Sequence, residues 1–253
     1  MKIVAIIQAR MGSTRLPGKM MLKILGKPII EHVFERIKDS QLINEIWLAT
    51  TLNAEDNVLA DWADSKGKKV YRGSSDDVLE RYWQTAKQAG ADIVVRITGD
   101  CPLHDSEVID SVINKFLSGG FDYVSNAHPP TYPDGLDTEV FSFQALEKSW
   151  EEAKLKSEKE HVTPYIWKNS EKFKIDNVSN EIDLSKERWT LDTKEDFLFI
   201  DNILKECATR GVKVNFKNVL DILESFPHWR EINSVYQRNE GYQKSINEDF
   251  KEI

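Results

Sequence analysis

Strand-like and helix-like patterns alternate along the first 120 residues, and this alternation limits the folds that the chain can adopt. Short apolar runs predict strands at Lys2–Ile7, Glu45–Thr50, Lys69–Tyr71 and Asp92–Ile97. Apolar residues spaced three or four apart predict helices at Pro28–Asp39, Ala54–Ser65, Asp76–Ala89 and Asp105–Leu117. Strands that alternate with helices form parallel sheets. The sequence therefore predicts an α/β fold with a mostly parallel, twisted sheet and helices on both faces.

The second half of the chain has shorter signals. Further strands are predicted at Phe121–Ser125, Thr138–Phe143 and Arg188–Leu191. Ser157 and Glu160 have the spacing of a capping box, which predicts a helix through about Lys168. Thr193 predicts the cap of another helix. The end of the chain is polar, and we expect a tail there that is loosely docked or contacts a partner.

The composition excludes several classes of protein. Cys101 and Cys207 are the only cysteines in 253 residues, too few for a disulfide scaffold. The five histidines lack the spacing of zinc ligands. The opening apolar run, Ile3–Ile7, is too short for a secretion signal or a membrane span. A net charge of −8 disfavours broad nucleic-acid binding. We therefore expect a soluble, cytoplasmic protein that binds neither nucleic acids nor membranes.

Basic residues are concentrated at the start of the chain. Residues 1–30 contain six Lys and Arg and no Asp or Glu, so the other 223 residues carry a net charge of −14. A cationic segment in an acidic protein favours a small anionic ligand over a long polyanion. A solvated basic edge without a ligand is the alternative that the charges alone leave open.

A loop that follows the first predicted strand, residues 8–19, combines glycine with positive charge. Arg10, Arg15 and Lys19 would supply three cations, and Gly12 and Gly18 would let backbone N–H groups approach phosphate oxygens. The spacing does not fit a Walker A motif, since five residues separate the glycines and no Ser or Thr follows the lysine. The loop indicates a triphosphate site, unless it is an ordinary turn between a strand and a helix.

Together with later stretches, this loop resembles the cytidylyltransferases that make CMP-activated sugars, which include the CMP-Kdo and CMP-sialic acid synthetases. The later stretches are Asp76–Tyr82, Arg96–Leu103, Asp134–Phe141, Glu160–Tyr165 and Thr190–Asp196. The branch that the sequence resembles most is the spore coat polysaccharide biosynthesis protein F family. The resemblance implies a Rossmann-like nucleotide-diphospho-sugar transferase fold. It also implies transfer of CMP from CTP to a sugar or sugar acid, with release of pyrophosphate, in surface polysaccharide or glycan biosynthesis.

The same resemblance implies Mg²⁺ as the cofactor and a homodimer as the assembly. No repeat or linker divides the sequence, so we expect one nucleotidyltransferase domain over residues 1–235. A small subregion at about 126–180 would serve the acceptor or the dimer contact, and residues 236–253 would form the polar tail.

The resemblance also assigns roles to individual residues. The implied nucleotide-binding residues are Gln8, Ala9, Arg10, Gly12, Ser13, Arg15, Lys19, Arg72, Arg81, Thr98 and Asp100. The implied catalytic residues are Arg10, Arg15, Lys19 and Asp100, and the implied metal ligands are Asp100 and Asp192. The implied acceptor-binding residues are Tyr132, Asp134, Glu139 and His161. Asp100 ends a predicted strand, and Mg²⁺ prefers carboxylate and phosphate oxygens.

Simpler interpretations stay open for several of these residues. Asp192 also suits the start of a helix, where acids are favoured by the helix dipole. Arg72 and Arg81 are equally typical of surface ion pairs. His161 could pack at a subunit interface. Cys101 follows Asp100, but no base partner is evident in the sequence, so a packing role is favoured over a nucleophile.

Three other functions compete with cytidylyl transfer. A glycosyltransferase with a nucleotide-sugar donor commonly uses a DxD motif, and no two aspartates here are two positions apart. A nucleotidyltransferase that uses another nucleoside triphosphate is not separated by the sequence, because hydrogen bonds in the base pocket decide that choice. A non-catalytic nucleotide-binding or scaffold protein is disfavoured by the joint presence of Arg15, Lys19 and Asp100.

Overall fold

A seven-stranded sheet organises residues 1–250, the part of the chain that the computed structural model describes. The strands are β1 (Ile3–Gln8), β2 (Lys23–Ile24), β3 (Lys27–Pro28), β4 (Glu45–Thr51), β5 (Lys69–Gly73), β6 (Ile93–Thr98), β7 (Tyr123–Ser125), β8 (Glu139–Ser142) and β9 (Ile175–Asn177). The sheet order is β5-β4-β1-β6-β8-β7-β9, and β2 and β3 pair separately. Strands β5, β4, β1 and β6 are parallel, whereas β8 is antiparallel to both of its neighbours. The predicted mostly parallel sheet is therefore confirmed.

Helices cover both faces of this sheet. They are α1 (Ile29–Ile37), α2 (Asn57–Ser65), α3 (Val78–Ala89), α4 (Ser106–Gly119), α5 (Phe143–Glu152), α6 (Lys156–His161), α7 (Pro164–Lys168), α8 (Lys194–Arg210), α9 (Phe216–Ser225) and α10 (Glu240–Asp249). Short 3₁₀ helices lie at Lys19–Met21, Ala54–Asp56 and Pro227–Glu231. Within residues 1–250, none of the helices has both the length and the apolar character that crossing a membrane requires.

The alternation of β1 side chains explains the two layers of helices. Successive side chains of a strand point to opposite faces. Val4 and Ile6 lie in an apolar cluster with side chains of α3 and α5. Ala5 and Ile7 lie in a second cluster with side chains of α1, α2 and α4. Because β1 is buried on both faces, its run of apolar residues has no polar alternation.

Two predicted elements differ in the structure. Residues 188–191 do not form a strand: Arg188 makes only an isolated bridge with Asp134, and the Leu191 N–H donates to the carbonyl of Asp100, outside any strand. The predicted strand is therefore wrong, because the hydrogen-bond partners of this segment are loops. Its Trp189 and Leu191 side chains are fully buried in a third cluster with α8 and α9.

The predicted helix at residues 157–168 is two helices, and Ser157 is not its cap. Helix α6 begins at Lys156, and the carboxylate of Glu158 accepts the N–H groups of residues 154 and 155 at 3.0 Å each. The chain then leaves the helix at Val162, which has a φ of 71°. Helix α7 starts anew at Pro164, because proline lacks the N–H that an interior position requires.

The polar end of the chain forms helix α10, which is docked on α6. The N–H of Ser157 donates to Asp249 at 3.0 Å, and Lys156 pairs with Glu248 at 2.5 Å. Because these contacts are polar, α10 does not need the broad apolar stripe by which a packed helix is recognised from its sequence. The sequence therefore did not predict this helix. The expectation of a loosely docked tail is therefore corrected for residues 240–249.

Candidate active site

The carboxyl ends of β1 and β6 lie side by side and open one cavity. Gln8 and Thr98 end these strands in register. Gly99 follows, and its N–H donates to the Gln8 carbonyl at 2.8 Å. A Cβ atom on Gly99 would lie 2.8 Å from the Cβ of Ala9 and 2.9 Å from that carbonyl oxygen. Only glycine fits this close approach, which holds the basic loop against the loop that carries Asp100.

This cavity has a volume of about 750 Å³ and contains most of the predicted site. The predicted residues that line it are Gln8, Ala9, Arg10, Gly12, Ser13, Arg15, Lys19, Arg81, Thr98, Asp100, His161 and Asp192. The cations of the first loop and two distant carboxylates therefore share one space.

Lys19 occupies the centre of the charged cluster. Its ammonium donates to Asp100 Oδ2, to Asp192 Oδ1 and to the Leu191 carbonyl, each at 2.8 Å. Burial opposes the charged form, but attraction by the two carboxylates outweighs it and raises the pKa of Lys19. Burial likewise acts against the Asp100 carboxylate, and the neighbouring Lys19 nevertheless lowers the pKa of Asp100. Both groups are therefore ionised at neutral pH.

Two arginines hold the other oxygen of Asp192. Arg15 lies 3.0 Å from Asp192 Oδ2, and Arg188 lies 3.1 Å from the same atom. Arg188 is buried and also pairs with Asp196 at 2.9 Å, so it fixes the start of α8 beneath the cavity. Arg15 is more exposed, and its second amino group donates to Glu240 of α10 at 2.6 Å. Asp192 is thus held by the buried Arg188 and by the more exposed Arg15, which links it to α10.

The basic loop is positioned by a buried acid that the sequence analysis did not identify. Asp56 is completely buried, accepts the Met11 N–H at 2.6 Å and also accepts the hydroxyl of Thr51. In the sequence, Asp56 is one of several acids at the start of a helix, so no local signal distinguishes it. Arg10, next to this anchor, forms no ion pair with any acid in residues 1–250.

Four predicted site residues do not line the cavity. Arg72 donates to the carbonyls of Thr51 and Asn53, at 2.9 and 3.0 Å, and so secures the edge of the sheet. Tyr132 packs against Phe216 in the third apolar cluster. Both side chains make contacts within the fold. Their own motifs do not indicate these contacts, because the partners lie elsewhere in the sequence.

The other two residues outside the cavity are acids with buried partners. Asp134 pairs with Arg188 at 3.2 Å. Glu139 is 3% exposed, pairs with Arg96 and accepts the hydroxyls of Tyr123 and Thr163 at 2.6 Å each. Burial acts against its charge, but Arg96 outweighs this and lowers the pKa of Glu139. Neither acid lines the cavity, and the acceptor-binding role that the resemblance implies for them stays a prediction.

Cys101 lies beside the site, and its surroundings disfavour a nucleophilic role. Its thiol is buried, and burial together with the charge of Asp100 raises the pKa of Cys101 well above its usual value. A thiol that stays protonated is unreactive. The packing role favoured by the sequence agrees with this environment.

Helices α6 and α10 form one wall of the cavity. Of the residues in this wall, the sequence analysis predicted only His161 as a site residue. The additional lining residues are Lys156, Glu160, Glu240, Gly241, Lys244, Ser245 and Glu248. Their spacing on α10 follows one helix face, which could have been recognised as a polar stripe. Their position next to Arg15 depends on the docking of α10 and could not be predicted.

Comparison with known proteins now decides the family. The model of the cytidylyltransferase family matches residues 4–243. The chain belongs to the cytidylyltransferase family. This cytidylyltransferase is therefore an enzyme that transfers a CMP group, and its nucleotide substrate is CTP.

Three relatives show how much of the cytidylyltransferase chain is shared. An uncharacterised protein of Methanocaldococcus jannaschii is 41% identical over 236 residues, which cover 92% of this chain and 95% of that protein. The spore coat polysaccharide biosynthesis protein SpsF of Bacillus subtilis is 29% identical over 82% of this chain and 88% of its own length. A 3-deoxy-manno-octulosonate cytidylyltransferase of Trichlorobacter lovleyi is 39% identical, but over only 46% of each chain.

Solved structures support the same fold. A cytidylyltransferase from Leptospira borgpetersenii is 35% identical with a TM-score of 0.86, and the match covers 94% of this chain and all of that chain. The CTP complex of CMP:2-keto-3-deoxy-manno-octonic acid synthetase is 18% identical with a TM-score of 0.64, over 81% of this chain and 99% of that chain. The predicted nucleotidyltransferase fold is confirmed.

Proposed function

We propose that this cytidylyltransferase transfers CMP from CTP to a sugar or sugar acid during surface polysaccharide or glycan biosynthesis. The observation that carries the proposal is the position of Lys19 between Asp100 and Asp192 in a cavity shared with Arg10 and Arg15. The names of two relatives, a spore coat polysaccharide protein and a sugar-acid cytidylyltransferase, favour this class of acceptor.

The proposed reaction is an in-line displacement at the α-phosphorus of CTP. Either an acceptor hydroxyl oxygen, whose proton passes to water, or an acceptor phosphate oxygen forms a bond to the α-phosphorus. The bond to the β-phosphate oxygen breaks, and pyrophosphate leaves. Arg10, Arg15 and Lys19 bind the triphosphate and neutralise the negative charge that grows on the leaving pyrophosphate. Catalysis of this kind depends on positioning and on electrostatic stabilisation in a preorganised site.

The residues of the cavity fit a magnesium ion. Asp100 and Asp192 both bind the same ammonium at 2.8 Å, so their carboxylates lie close enough to share a cation. Residues 1–250 hold no cluster of three His, Cys, Asp or Glu side chains suited to a metal. Mg²⁺ characteristically takes one or two carboxylates and completes its shell with phosphate oxygens and water. We propose Asp100 and Asp192 as its ligands, where the ion would neutralise phosphate charge.

We further propose that the enzyme works in the cytoplasm as a homodimer. Cys101 and Cys207 are both free thiols, which is usual in a reducing compartment, and the resemblance implies a homodimer. Size-exclusion chromatography with light scattering measures the assembly directly, and a monomer at micromolar concentration would contradict the second part of this proposal.

The test of function is pyrophosphate release from CTP and Mg²⁺ with a panel of acceptors: an eight-carbon sugar acid, a nine-carbon sugar acid and a hexose 1-phosphate. Before that assay, a thermal-shift screen of the four nucleoside triphosphates tests the base. A nucleotide at 100 times its Kd adds about 2.7 kcal/mol of stability, or about 5–11 °C for a chain of this size. Binding of CTP without pyrophosphate release on any acceptor would contradict the proposal. Release of nucleoside diphosphate from a nucleotide-sugar would indicate a glycosyltransferase instead.

A further inference from the structure

Asp56 lies directly before helix α2, but its carboxylate does not cap that helix. An aspartate at the start of a helix commonly accepts N–H groups of the first turn and so stabilises the helix. The side chain of Asp56 makes no such hydrogen bond, although it is completely buried. The carboxylate therefore serves other partners, and α2 begins without the stabilisation that a cap provides.

The first of these partners is the basic loop. Asp56 Oδ1 accepts the Met11 N–H at 2.6 Å. The Met11 carbonyl in turn accepts the N–H of Ser13 at 2.8 Å and the N–H of Gly18 at 3.3 Å. Two hydrogen bonds that close the loop thus meet at Met11. Asp56 fixes this meeting point to the rest of the fold.

Met11 adjoins the groups that are proposed to bind the triphosphate. Arg10 and Gly12, on either side of Met11, both line the cavity, and Gly18 directly precedes Lys19. A displaced Met11 would therefore move Arg10 and loosen the loop beside Lys19. The hydrogen bond that prevents this has an acid as its acceptor, and such bonds are stronger than those between neutral groups.

Asp56 is itself held in place by the segment between β4 and α2. The Thr51 hydroxyl donates to Asp56 Oδ2, and the Asp56 N–H donates to the Asn53 carbonyl at 3.0 Å. Arg72 donates to the carbonyls of Thr51 and Asn53 from the neighbouring strand β5. A chain of hydrogen bonds therefore runs from the sheet through Asp56 to the basic loop.

We propose that Asp56 is a positioning residue for the triphosphate. By holding Met11 it fixes Arg10 and the end of the loop beside Lys19, and so it sets the affinity for CTP. Asp56 does not line the cavity and acts only through the loop. Groups that bind a ligand need such supporting contacts to keep their geometry. The inference rests on the proposed binding of the triphosphate by the basic loop and adds a residue on which that binding depends.

The variants compare two acids with the same kind of partners. Asp56→Ala removes the acceptor of the Met11 N–H, whereas Asp56→Asn keeps an oxygen that can accept it. Asp110→Ala is the matched control. Asp110 also accepts one hydroxyl, from Ser40, and one backbone N–H, from Gln41 at 2.9 Å, but neither Asp110 nor these partners line the active-site cavity.

The measurement is calorimetric titration of each variant with CTP and, separately, with CMP, in the presence of Mg²⁺ and without an acceptor. Loss of a hydrogen bond to a charged group predicts a rise of about tenfold or more in the Kd of CTP for Asp56→Ala. The Kd of CMP should rise much less, because CMP lacks the two outer phosphates. We expect Asp56→Asn to restore most of the CTP affinity and Asp110→Ala to bind both nucleotides as the wild type does.

Thr51→Val tests the same chain of contacts if Asp56→Ala does not fold. This substitution keeps the shape of the side chain but removes the hydroxyl that donates to Asp56. The Kd of CTP should then rise by about threefold, with the Kd of CMP unchanged.

Each other outcome has a distinct meaning. If the wild type binds CTP and the folded variants of Asp56 and Thr51 bind it equally well, the positioning role is overturned. Equal weakening of CTP and CMP, or the same loss in Asp110→Ala, would indicate a general effect on the fold and would also overturn it. Because no acceptor is present, the result does not depend on transfer to a sugar. A lack of pyrophosphate release with the acceptor panel would contradict that transfer alone.

Discussion

Replacement of Lys19 by methionine tests the electrostatic centre of the site. Methionine keeps most of the side-chain length but removes the ammonium that lies 2.8 Å from Asp100 and from Asp192. A donor aimed at transition-state charge is worth about 2.7–4 kcal/mol, so kcat should fall about 10²–10³-fold. The measurement is pyrophosphate release from CTP at saturating acceptor and Mg²⁺.

The same variant should also lose stability, because Asp100 is left without its cation, whereas Asp192 keeps Arg15 and Arg188. Removal of one partner from a buried ion pair costs about 3–5 kcal/mol. The side chains of Asp100 and Asp192 are 26% and 25% exposed, so solvent should reduce the cost to the lower end of that range. A loss of about 3 kcal/mol corresponds to about 6–12 °C in Tm. Because Mg²⁺ can neutralise the same pair, its addition should restore part of this loss.

Lys23→Met is the matched control for Lys19→Met. Lys23 belongs to the same cationic segment, but it is exposed and does not line the cavity. We expect wild-type turnover and Tm for this variant. Turnover of Lys19→Met within threefold of the control, with CTP saturating, would refute the role of the ammonium in the reaction. An unchanged Tm would refute the calculated cost of leaving the Asp100 carboxylate without its cation.

Three further predictions concern single side chains. Asp100→Asn keeps the shape of the side chain but removes a negative ligand, so turnover should collapse and a Mg²⁺ titration should not restore it; full activity would refute the metal assignment. Glu139→Gln leaves the buried charge of Arg96 unpaired, so calorimetry should show that the free energy of unfolding falls by about 3–5 kcal/mol. A rise in the acceptor KM at an unchanged Tm would instead support a role of Glu139 in acceptor binding. Burial lowers the pKa of His104 to about 4, below its ordinary value of 6.5, so the unfolded chain binds more protons and stability falls as the pH drops from 6.5 toward 4. His104→Leu should flatten this part of the pH profile of stability, and an unchanged profile would contradict this prediction. Both ring nitrogens of His104 are buried without partners in residues 1–250, so the same substitution should raise the free energy of unfolding at pH 7 by about 1–3 kcal/mol.

The position of the basic loop at the cavity could be predicted because its residues are local in sequence. Arg10, Arg15 and Lys19 follow a strand directly, and the rule that ligands lie at the carboxyl ends of parallel strands places them at the cavity. Asp100 follows another strand of the same sheet and obeys the same rule. Asp192 follows no strand, and its position became clear only when Lys19 was seen to bind it.

The contacts of the residues predicted to bind the acceptor could not be predicted in the same way. Motif resemblance alone placed Tyr132, Asp134 and Glu139 near an acceptor, but each is held by a partner distant in sequence. The identity of an acidic residue in a motif does not show whether its side chain faces a ligand or pairs with a buried arginine. Glu139 shows the second case, since Arg96 lies opposite it in the antiparallel pairing of β6 and β8.

The sequence by itself determined the alternation of strands and helices, the buried parallel strands and the basic loop after β1, because hydrophobic periodicity and glycine content act over a few residues. Tertiary structure alone decided which acids meet Lys19, which acids are buried for stability, and that the polar end of the chain folds back as α10 beside Arg15. Those outcomes depend on contacts between residues distant in sequence, such as Lys19 with Asp100 and Arg15 with Glu240. The free energy of such contacts exists only once the sheet has brought the segments together.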